Sequence, residues 1–360
     1  MKEKLMSFRN NKILLALSGG VDSSMAAIML KAQGFEVIGL TIKFWNHPDF
    51  ADNIGDINAA IKLCRDLKIQ HYVVDKCDAF SREVIEYFDY SYLNGKTPFP
   101  CAVCNPKVKW SALVEYANEL GCYHIATGHY VDVVKYNNIY YITEGIDEDK
   151  DQSFFLWGLD QDTLSRSIFP LAGKNKIWVK EQAIKHGYNS LSVQKESTGV
   201  CFLKDPNYRT YISKIIAAKR SDIGKGNFID ENGMIVGQHD GYPYYTVGQR
   251  RGLGFGPSIN KKYYVKEILQ GTNEVVLSES KPAAKESFYV LDYFVHNKDD
   301  FKKSVGLKIR YRKQYHLATI EFIDEQRLKV HLQSPLDSIA PGQTAVFYSD
   351  KRVLGGGFIM

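Results

Sequence analysis

The chain has 360 residues, a formal net charge of +5, 44% hydrophobic and 24% charged residues, and six cysteines. That length asks for two or three domains, and the mild basic excess admits a nucleic-acid partner without requiring one. No apolar run approaches the roughly 20 residues of a membrane span, and six cysteines at this length do not make a secreted disulfide framework.

The start, MKEKLMSFRN, is charged, and the ILLAL after it runs into a Gly-rich turn without a cleavage site, so no secretory signal is expected. Lys12 to Leu17 (KILLAL) reads as a buried strand. Asp22 to Gln33 reads as a helix with Met25, Ile28 and Met29 on one face and Gly34 as its stop. Glu36 to Phe44 gives a second strand. Asn58 to Lys68 gives a second helix with Ala60, Ile61, Cys64 and Leu67 inward, and His71 to Val74 a third strand. A third helix is expected over Phe80 to Leu93, another from near Lys107, and a fourth strand over Tyr123 to Thr127. This alternation predicts a parallel α/β sheet with helices on both faces.

Past residue 200 the pattern changes to short alternating strands between Gly, Asn and Asp turns, as in NFID-ENG-MIVG and ATIEFI-DEQ-RLKVHL. An all-β region is expected there, a small central β-rich module followed by a barrel beginning near Ser280. The domains then run 1–203, 204–279 and 280–360.

Between the first strand and first helix lies Ser18-Gly19-Gly20-Val21-Asp22-Ser23. Paired glycines let backbone N–H groups converge, the helix N-terminus adds its dipole, and both serines can donate to the same oxygens, so the segment suits an anion. It lacks the Gly-Lys-Ser/Thr of a kinase-type P-loop and the G-x-G-x-x-G of a dinucleotide site. Asp22 would repel phosphate on its own, and a bound Mg²⁺ is the expected compensation.

Cys101 and Cys104 form a C-x-x-C in the Pro-rich TPFPCAVCNP, and Cys201 lies in STGVCFL after Gly199. Turn-forming neighbours expose side chains, and Lys107 and Lys109 favour thiolates, so these three are the candidate functional thiols. Cys64, Cys77 and Cys122 read as buried or inert. His124 reads as structural, while His129 ends the fourth strand, where open α/β sheets bind ligands. Lys107, Lys109 and Trp110, then Arg250 and Arg251, then Arg310, Tyr311, Arg312, Lys313 and Tyr315 mix cations with aromatics, as suits single-stranded RNA loops.

Taken together, SGGVDSS, TPFPCAVCNPKVKW, ATGHY, DKDQSFFL, STGVCFL, YTVGQRRGLG, IRYR, PGQTAVFY and LGGG stand in the order and approximate spacing of the bacterial tRNA-specific 2-thiouridylases, which the chain resembles nearly end to end. SGGxDS by itself resembles the PP-loop of ATP pyrophosphatases. The resemblance implies an N-terminal PP-loop domain (adenine nucleotide alpha hydrolase-like, with a Rossmann-like parallel sheet), a central β-rich tRNA-binding module and a C-terminal β-barrel. It implies a cytoplasmic enzyme that adenylates the C2 oxygen of the wobble uridine with ATP and Mg²⁺, then replaces it with sulfur from a sulfur-relay persulfide donor. Ala16, Leu17, Ser18, Gly19, Gly20, Val21, Asp22, Ser23, Ile42 and Gly128 would bind ATP. Cys104 would be the nucleophile and Cys201 the persulfide carrier, the two closing a disulfide as sulfur leaves. Phe99, Pro100 and Cys101 would approach the base. Lys150, Asp151, Gln152, Arg310 and Tyr311 would contact the tRNA anticodon region, with His129 and Gln343 in support.

The chain departs from the family at Cys101, where many relatives carry Asp, and at Asn105-Pro106-Lys107, where relatives continue Asn-Lys or Asn-Arg. The third thiol leaves a second mechanism open, a [4Fe–4S] cluster on Cys101, Cys104 and Cys201. Two rival readings also stand, an adenylating ligase or amidotransferase of the same superclass and a non-catalytic RNA binder built on the barrel.

Overall fold

The computed structural model describes residues 11–47, 49–51, 53–193, 199–205, 208–220, 222–254, 262–311 and 314–360. Arg312, Lys313 and the first two residues of STGVCFL lie outside them. Two compact units result. The first comprises Met1–Glu83, Cys101–Lys204 and Asp350–Val353, and the second Val84–Pro100, Asp205–Ser349 and Leu354–Met360.

The first unit is built on strands β1 (Lys12–Ala16), β2 (Glu36–Lys43), β3 (Gln70–Asp75) and β4 (His124–Ala126). A hairpin of β5 (Val131–Tyr136) and β6 (Ile139–Glu144) follows, then the short β7 (Ser167–Ile168). The sheet runs β3-β2-β1-β4-β7, all parallel, as the alternation predicted. β1 is central, and Ile13, Leu14 and Leu15 are wholly buried, which is why that strand is an unbroken apolar run.

The helix Val21–Ala32 is apolar on two sides because it is covered on two sides. Ala26, Ala27 and Leu30 pack with Ile13, Leu15 and Val37 of the sheet. Val21, Met25 and Ile28 pack with Val179 and Ala183 of the helix Lys176–Lys185. Such double burial fixes the start of the helix, where the Gly-rich turn ends. The helix Ile54–Leu67 begins four residues before the expected Asn58 and ends on Lys68, whose φ of 52° does the work usually given to glycine.

Two helical stretches differ from expectation. Where one helix was predicted over Phe80–Leu93, the chain coils through Cys77–Phe80, a π-helical turn at Ser81–Ile85, and Glu86–Leu93. The helix expected near Lys107 begins at Pro100, runs to Cys104, widens into a π-helical turn over Asn105–Trp110 and continues through Ser111–Glu119. Proline is tolerated in a first helical turn, where its missing N–H has no partner to lose. The cysteines of TPFPCAVC therefore sit on a helix and not in an exposed turn.

The second unit is not all-β. The helix Tyr208–Lys219 stands at its start, and Asp89, buried on Glu86–Leu93, accepts hydrogen bonds from Tyr211 Oη at 2.8 Å and from Lys219 Nζ. Next comes a four-stranded sheet of β8 (Gly226–Ile229), β9 (Ile235–His239), β10 (Tyr264–Leu269) and β11 (Glu274–Ser278), in the order β10-β11-β8-β9. The last strands are β12 (Lys285–Val295), β13 (Val305–Lys308), β14 (His316–Phe322), β15 (Arg327–Leu336), β16 (Thr344–Ser349) and β17 (Arg352–Ile359). They run β12-β15-β14-β13-β16-β17, and β17 pairs back onto β12, closing a six-stranded barrel.

The terminal LGGG makes that closure possible. A Cβ on Gly355 (φ 150°) would overlap the Phe294 carbonyl, and one on Gly357 would lie 2.5 Å from Val290 Cγ1. Gly357→Ala should therefore cost about 1–3 kcal/mol of stability, the usual range for overpacking. Chemical denaturation checks this; an unchanged midpoint would mean that the β12–β17 seam has room to spare.

Candidate active site

At the C-terminal end of β1 the chain turns through Ser18, Gly19 and Gly20 into the helix Val21–Ala32. Gly19 has φ 78°, and a Cβ there would overlap the Asp56 carbonyl in the first turn of Ile54–Leu67. Gly128 stands opposite, where a Cβ would lie 2.8 Å from the Ser23 nitrogen. The Ser18 and Ser23 hydroxyls are 3.2 Å apart, and Ser23 Oγ also takes the Ser18 N–H. The result is a narrow cradle of hydroxyls at a helix N-terminus, suited to an oxyanion. Ile42, half-buried on β2 and paired with Val74, belongs to the neighbouring strand of the same sheet.

Asp22 points its carboxylate at Lys176, whose Nζ lies 2.7 and 2.6 Å from the two oxygens. Tyr130 Oη donates to the same carboxylate at 2.6 Å, and its ring lies beneath the lysine at 5.8 Å. Besides the Mg²⁺ expected with ATP, the carboxylate therefore has a protein partner, a buried lysine at the start of another helix. Neither Lys176 nor Tyr130 carries a local signal for this role, since the pairing spans 154 and 108 positions of chain.

Cys101 and Cys104 lie one helical turn apart, both half-buried, and Cys201 is solvent-accessible. Cys201 is held by its neighbour. Phe202 is buried among the rings of Trp45, Phe50 and Phe80, its carbonyl accepts the Ala51 N–H at 2.9 Å, and Leu203 bridges to Phe50. Far apart in sequence, Cys104 and Cys201 lie near enough to each other, to Cys101 and to Lys109 for charge on one to act on the others.

Burial dominates the electrostatics of this pocket. It pushes the thiols of Cys101 and Cys104 up to about 12, with neighbouring cysteines adding to the rise and Lys109 opposing it. Cys201 moves in the same direction from burial, countered by Lys109 and by the N–H groups of Cys201 and Phe202. The expected thiolates are therefore thiols at neutral pH in this state. Lys107 takes no part, being paired with Glu83 at 3.4 Å.

His129 links the two halves of the site. Burial, then Lys109, holds its imidazole well below the usual histidine value. Its Nδ1 is 2.7 Å from Thr127 Oγ1 and its ring lies 5.1 Å from Trp110. Through Gly128-His129-Tyr130 the thiol pocket and the anion cradle are joined by three consecutive residues. Asn105, next to Cys104, is buried and donates to the Phe155 carbonyl at 3.0 Å.

The remaining candidates divide between the units. In the first, Asp151 is buried, its carboxylate taking the N–H groups of Gly145 and Ser153 and the Ser153 hydroxyl, and burial raises its pKa. It braces the loop from within. Gln152 Oε1 accepts the Tyr130 N–H at 3.0 Å, and Lys150 lies half-exposed beside them. In the second unit, Tyr87 Oη takes the Phe99 N–H at 3.2 Å, and Gln343 Nε2 donates to the carbonyls of Thr97 and Pro98, fixing the approach to Pro100. Arg310 donates to the Ser338 carbonyl at 2.8 Å, with half-buried Tyr311 after it. Arg250 and Arg251 are exposed. Arg209, missed in the sequence, covers the rings of Tyr244 and Tyr245 and donates to the Gly252 carbonyl.

Among the described residues no group of three or more His, Cys, Asp or Glu is disposed to hold a metal ion. The iron–sulfur alternative therefore finds no support among the described residues. Asp22, at the mouth of the cradle, fits a cation that arrives with a phosphate.

Residues 11–205 match the family described as tRNA methyl transferase HUP domain. Residues 209–279 match the tRNA methyl transferase PRC-barrel domain, and 288–359 the aminomethyltransferase beta-barrel domain. The chain is 42% identical over 357 residues to tRNA-specific 2-thiouridylase MnmA 2 of Phocaeicola vulgatus, covering 98% of each. It is 39% identical over 364 residues to MnmA 1 of Bacteroides fragilis, and 38% over 363 to MnmA of Cytophaga hutchinsonii, again covering 98% of each.

Lys176→Met should leave the Asp22 carboxylate uncompensated in the cradle and weaken ATP affinity by about 10-fold or more. Calorimetric titration reads this directly, and an unaltered dissociation constant would remove the pair from nucleotide binding. A second expectation follows from the thiols. Their folded pKa stands above the ordinary cysteine value, so the neutral form stabilises the fold fully below that value and the contribution is lost as pH rises toward about 12. Iodoacetamide labelling of Cys104, followed by peptide mass spectrometry, should be slow at about pH 7 and climb steadily through about pH 10. A plateau reached near neutrality would show a thiolate instead.

Proposed function

We propose, from the premise that this chain belongs to the tRNA-specific 2-thiouridylase family, a mechanism in which the cradle and the thiol pocket act in turn on one uridine. The chain is an ATP-dependent tRNA sulfurtransferase, and its substrate is tRNA. It adenylates the C2 oxygen of the wobble uridine and exchanges it for sulfur, releasing AMP and pyrophosphate. The observation that carries the mechanism is that Cys104 and Cys201, far apart in sequence, lie near enough to act on each other's charge, while the stretch Gly128-His129-Tyr130 borders the cradle.

A carbonyl oxygen is a poor leaving group, and adenylation makes it a good one. The backbone N–H groups and hydroxyls of Ser18 to Ser23 receive the phosphates, and the helix dipole favours charge developing on pyrophosphate. Ala16, Leu17, Ile42 and Gly128 line the nucleotide's other contacts. Mg²⁺ bound with ATP would neutralise charge on the phosphates, and Asp22 would help hold it by giving up a contact to Lys176 or Tyr130.

A persulfide on Cys201 then attacks C2, and AMP leaves. The Cys104 thiol attacks Sγ of Cys201, so the outer sulfur departs with the base as 2-thiouridine and a Cys104–Cys201 disulfide remains. Lys109 acts on all three thiols and supports the thiolate each step requires. The persulfide comes from a sulfur-relay donor protein.

Phe99, Pro100 and Cys101 stand at the base, and Lys150, Gln152, Arg310 and Tyr311 at the RNA, with Asp151, His129 and Gln343 holding these segments. We assign 1–203 to catalysis, 204–279 to tRNA binding and 280–360 to the barrel, in the cytoplasm. Among the described residues no helix is long and apolar enough to cross a membrane.

Cys104→Ser and Cys201→Ser should each cut 2-thiouridine formation by about 100-fold or more, measured by nucleoside mass spectrometry, while tRNA-dependent ATP–pyrophosphate exchange persists. Thiolation surviving the double replacement would hand the site to an amine-using ligase. Arg310→Glu should weaken tRNA binding and flatten its salt dependence by about one unit of slope; equal affinity at every salt concentration would take Arg310 out of the interface.

A further inference from the structure

The mechanism above places Cys101 at the base but gives its sulfur no covalent step. Cys101 is half-buried, belongs to the same helical segment as Cys104, and precedes it by three residues. Positions three apart lie on one helical face with Cβ atoms about 5–6 Å apart, about 1–2 Å wider than a disulfide spans, so a bridge needs the turn to tighten. Pro100 opens the helix, so the first turn gives up few backbone hydrogen bonds if it adjusts, and the π-helical turn after Cys104 already departs from regular spacing. Cys201 lies near enough to the same two residues to act on their charge, on a loop that its neighbour Phe202 anchors through the ring of Phe80.

We propose that Cys101 is a resolving thiol, which attacks the Cys104–Cys201 disulfide left by sulfur transfer, takes Cys104 as its partner and returns Cys201 as a free thiol ready to be charged again. The inference rests on the persulfide reading above. The exchange balances within the pocket. The Cys101 sulfur forms a bond to Sγ of Cys104, the Cys104–Cys201 bond breaks, and the proton of Cys101 ends on Cys201. No electron enters or leaves. An external dithiol reductant is still required once per turnover, but it acts on a Cys101–Cys104 disulfide.

Attack on Cys104 is the productive direction for two reasons. The helix presents Cys104 to Cys101 at fixed spacing, whereas Cys201 belongs to a separate loop. The departing sulfur is then Cys201, the one supported by two backbone N–H groups as well as Lys109, and the better-supported thiolate leaves faster. The release also frees the most accessible of the three thiols, which a bulky sulfur donor must reach.

The test uses the full chain, charged at Cys201 with inorganic polysulfide and given tRNA and ATP·Mg²⁺ for one turnover without reductant. After acid quench and N-ethylmaleimide capping, non-reducing peptide mass spectrometry maps the disulfide. Wild type should carry Cys101–Cys104 at ~10-fold or more over Cys104–Cys201, and Cys101→Ser should carry Cys104–Cys201 alone. A second polysulfide pulse should recharge Cys201 in wild type and fail by ~10-fold or more in Cys101→Ser until dithiothreitol is added. A Cys104–Cys201 disulfide persisting in wild type overturns the proposal, as does equal recharging of both proteins. If 2-thiouridine forms with no disulfide in either protein, the persulfide reading falls and the proposal with it, a result distinct from loss of the Cys101 step alone.

Discussion

A carboxylate at the mouth of an anion-binding helix terminus works against its own site unless a cation holds it, and here Lys176 does so. The lysine is buried, its ammonium lies between both oxygens of Asp22, and Tyr130 adds a third hydrogen bond. Much of the first unit is arranged around that contact. The helix Val21–Ala32 is clamped between the sheet and the helix carrying Lys176, so the two charges meet because two apolar faces are buried. Tyr130, in turn, takes its position from Gln152 and lies next to His129, which carries the same framework toward the thiols. Packing sets the electrostatics, and the electrostatics leave the cradle ready for phosphate.

The thiol pocket follows the opposite strategy. Nothing there neutralises in advance; burial keeps three sulfurs protonated, with Lys109 as the modest counterweight. A nucleophile held as a neutral thiol is spared oxidation and wasteful attack on water-borne electrophiles. The two halves of the site thus control charge differently, one by an internal pair and the other by the surroundings of half-buried sulfurs.

Much of this was legible beforehand. The parallel sheet, the Gly-rich turn and the C-terminal barrel all announce themselves locally, through unbroken apolar runs, paired glycines and alternating strands. What stayed hidden depends on long-range partners. Lys176 looks like any helix-starting lysine, and its pairing with Asp22 has no pattern within either segment. TPFPCAVCNP misled in a physical way, because its prolines suggest a turn while Pro100 in fact sits where a helix can accept it. The helix Tyr208–Lys219 was missed because the strands after it dominate the periodicity. Lys107 and Lys109 could not be told apart by sequence, yet one faces Glu83 and the other the thiols.

The wide turn at Asn105–Trp110 has a consequence for how this site tolerates change in length. In a regular helix each residue advances about 100°, so Lys109 and Trp110 would face elsewhere if the turn tightened. The extra residue in the coil acts as a phase adjuster, letting Cys104 and Lys109 look into one pocket while Trp110 still reaches His129. Composition within that stretch can drift so long as the wide turn keeps its spacing. Its length cannot, because one residue more or fewer would rotate the cation away from the sulfurs and leave every catalytic side chain in place but out of step.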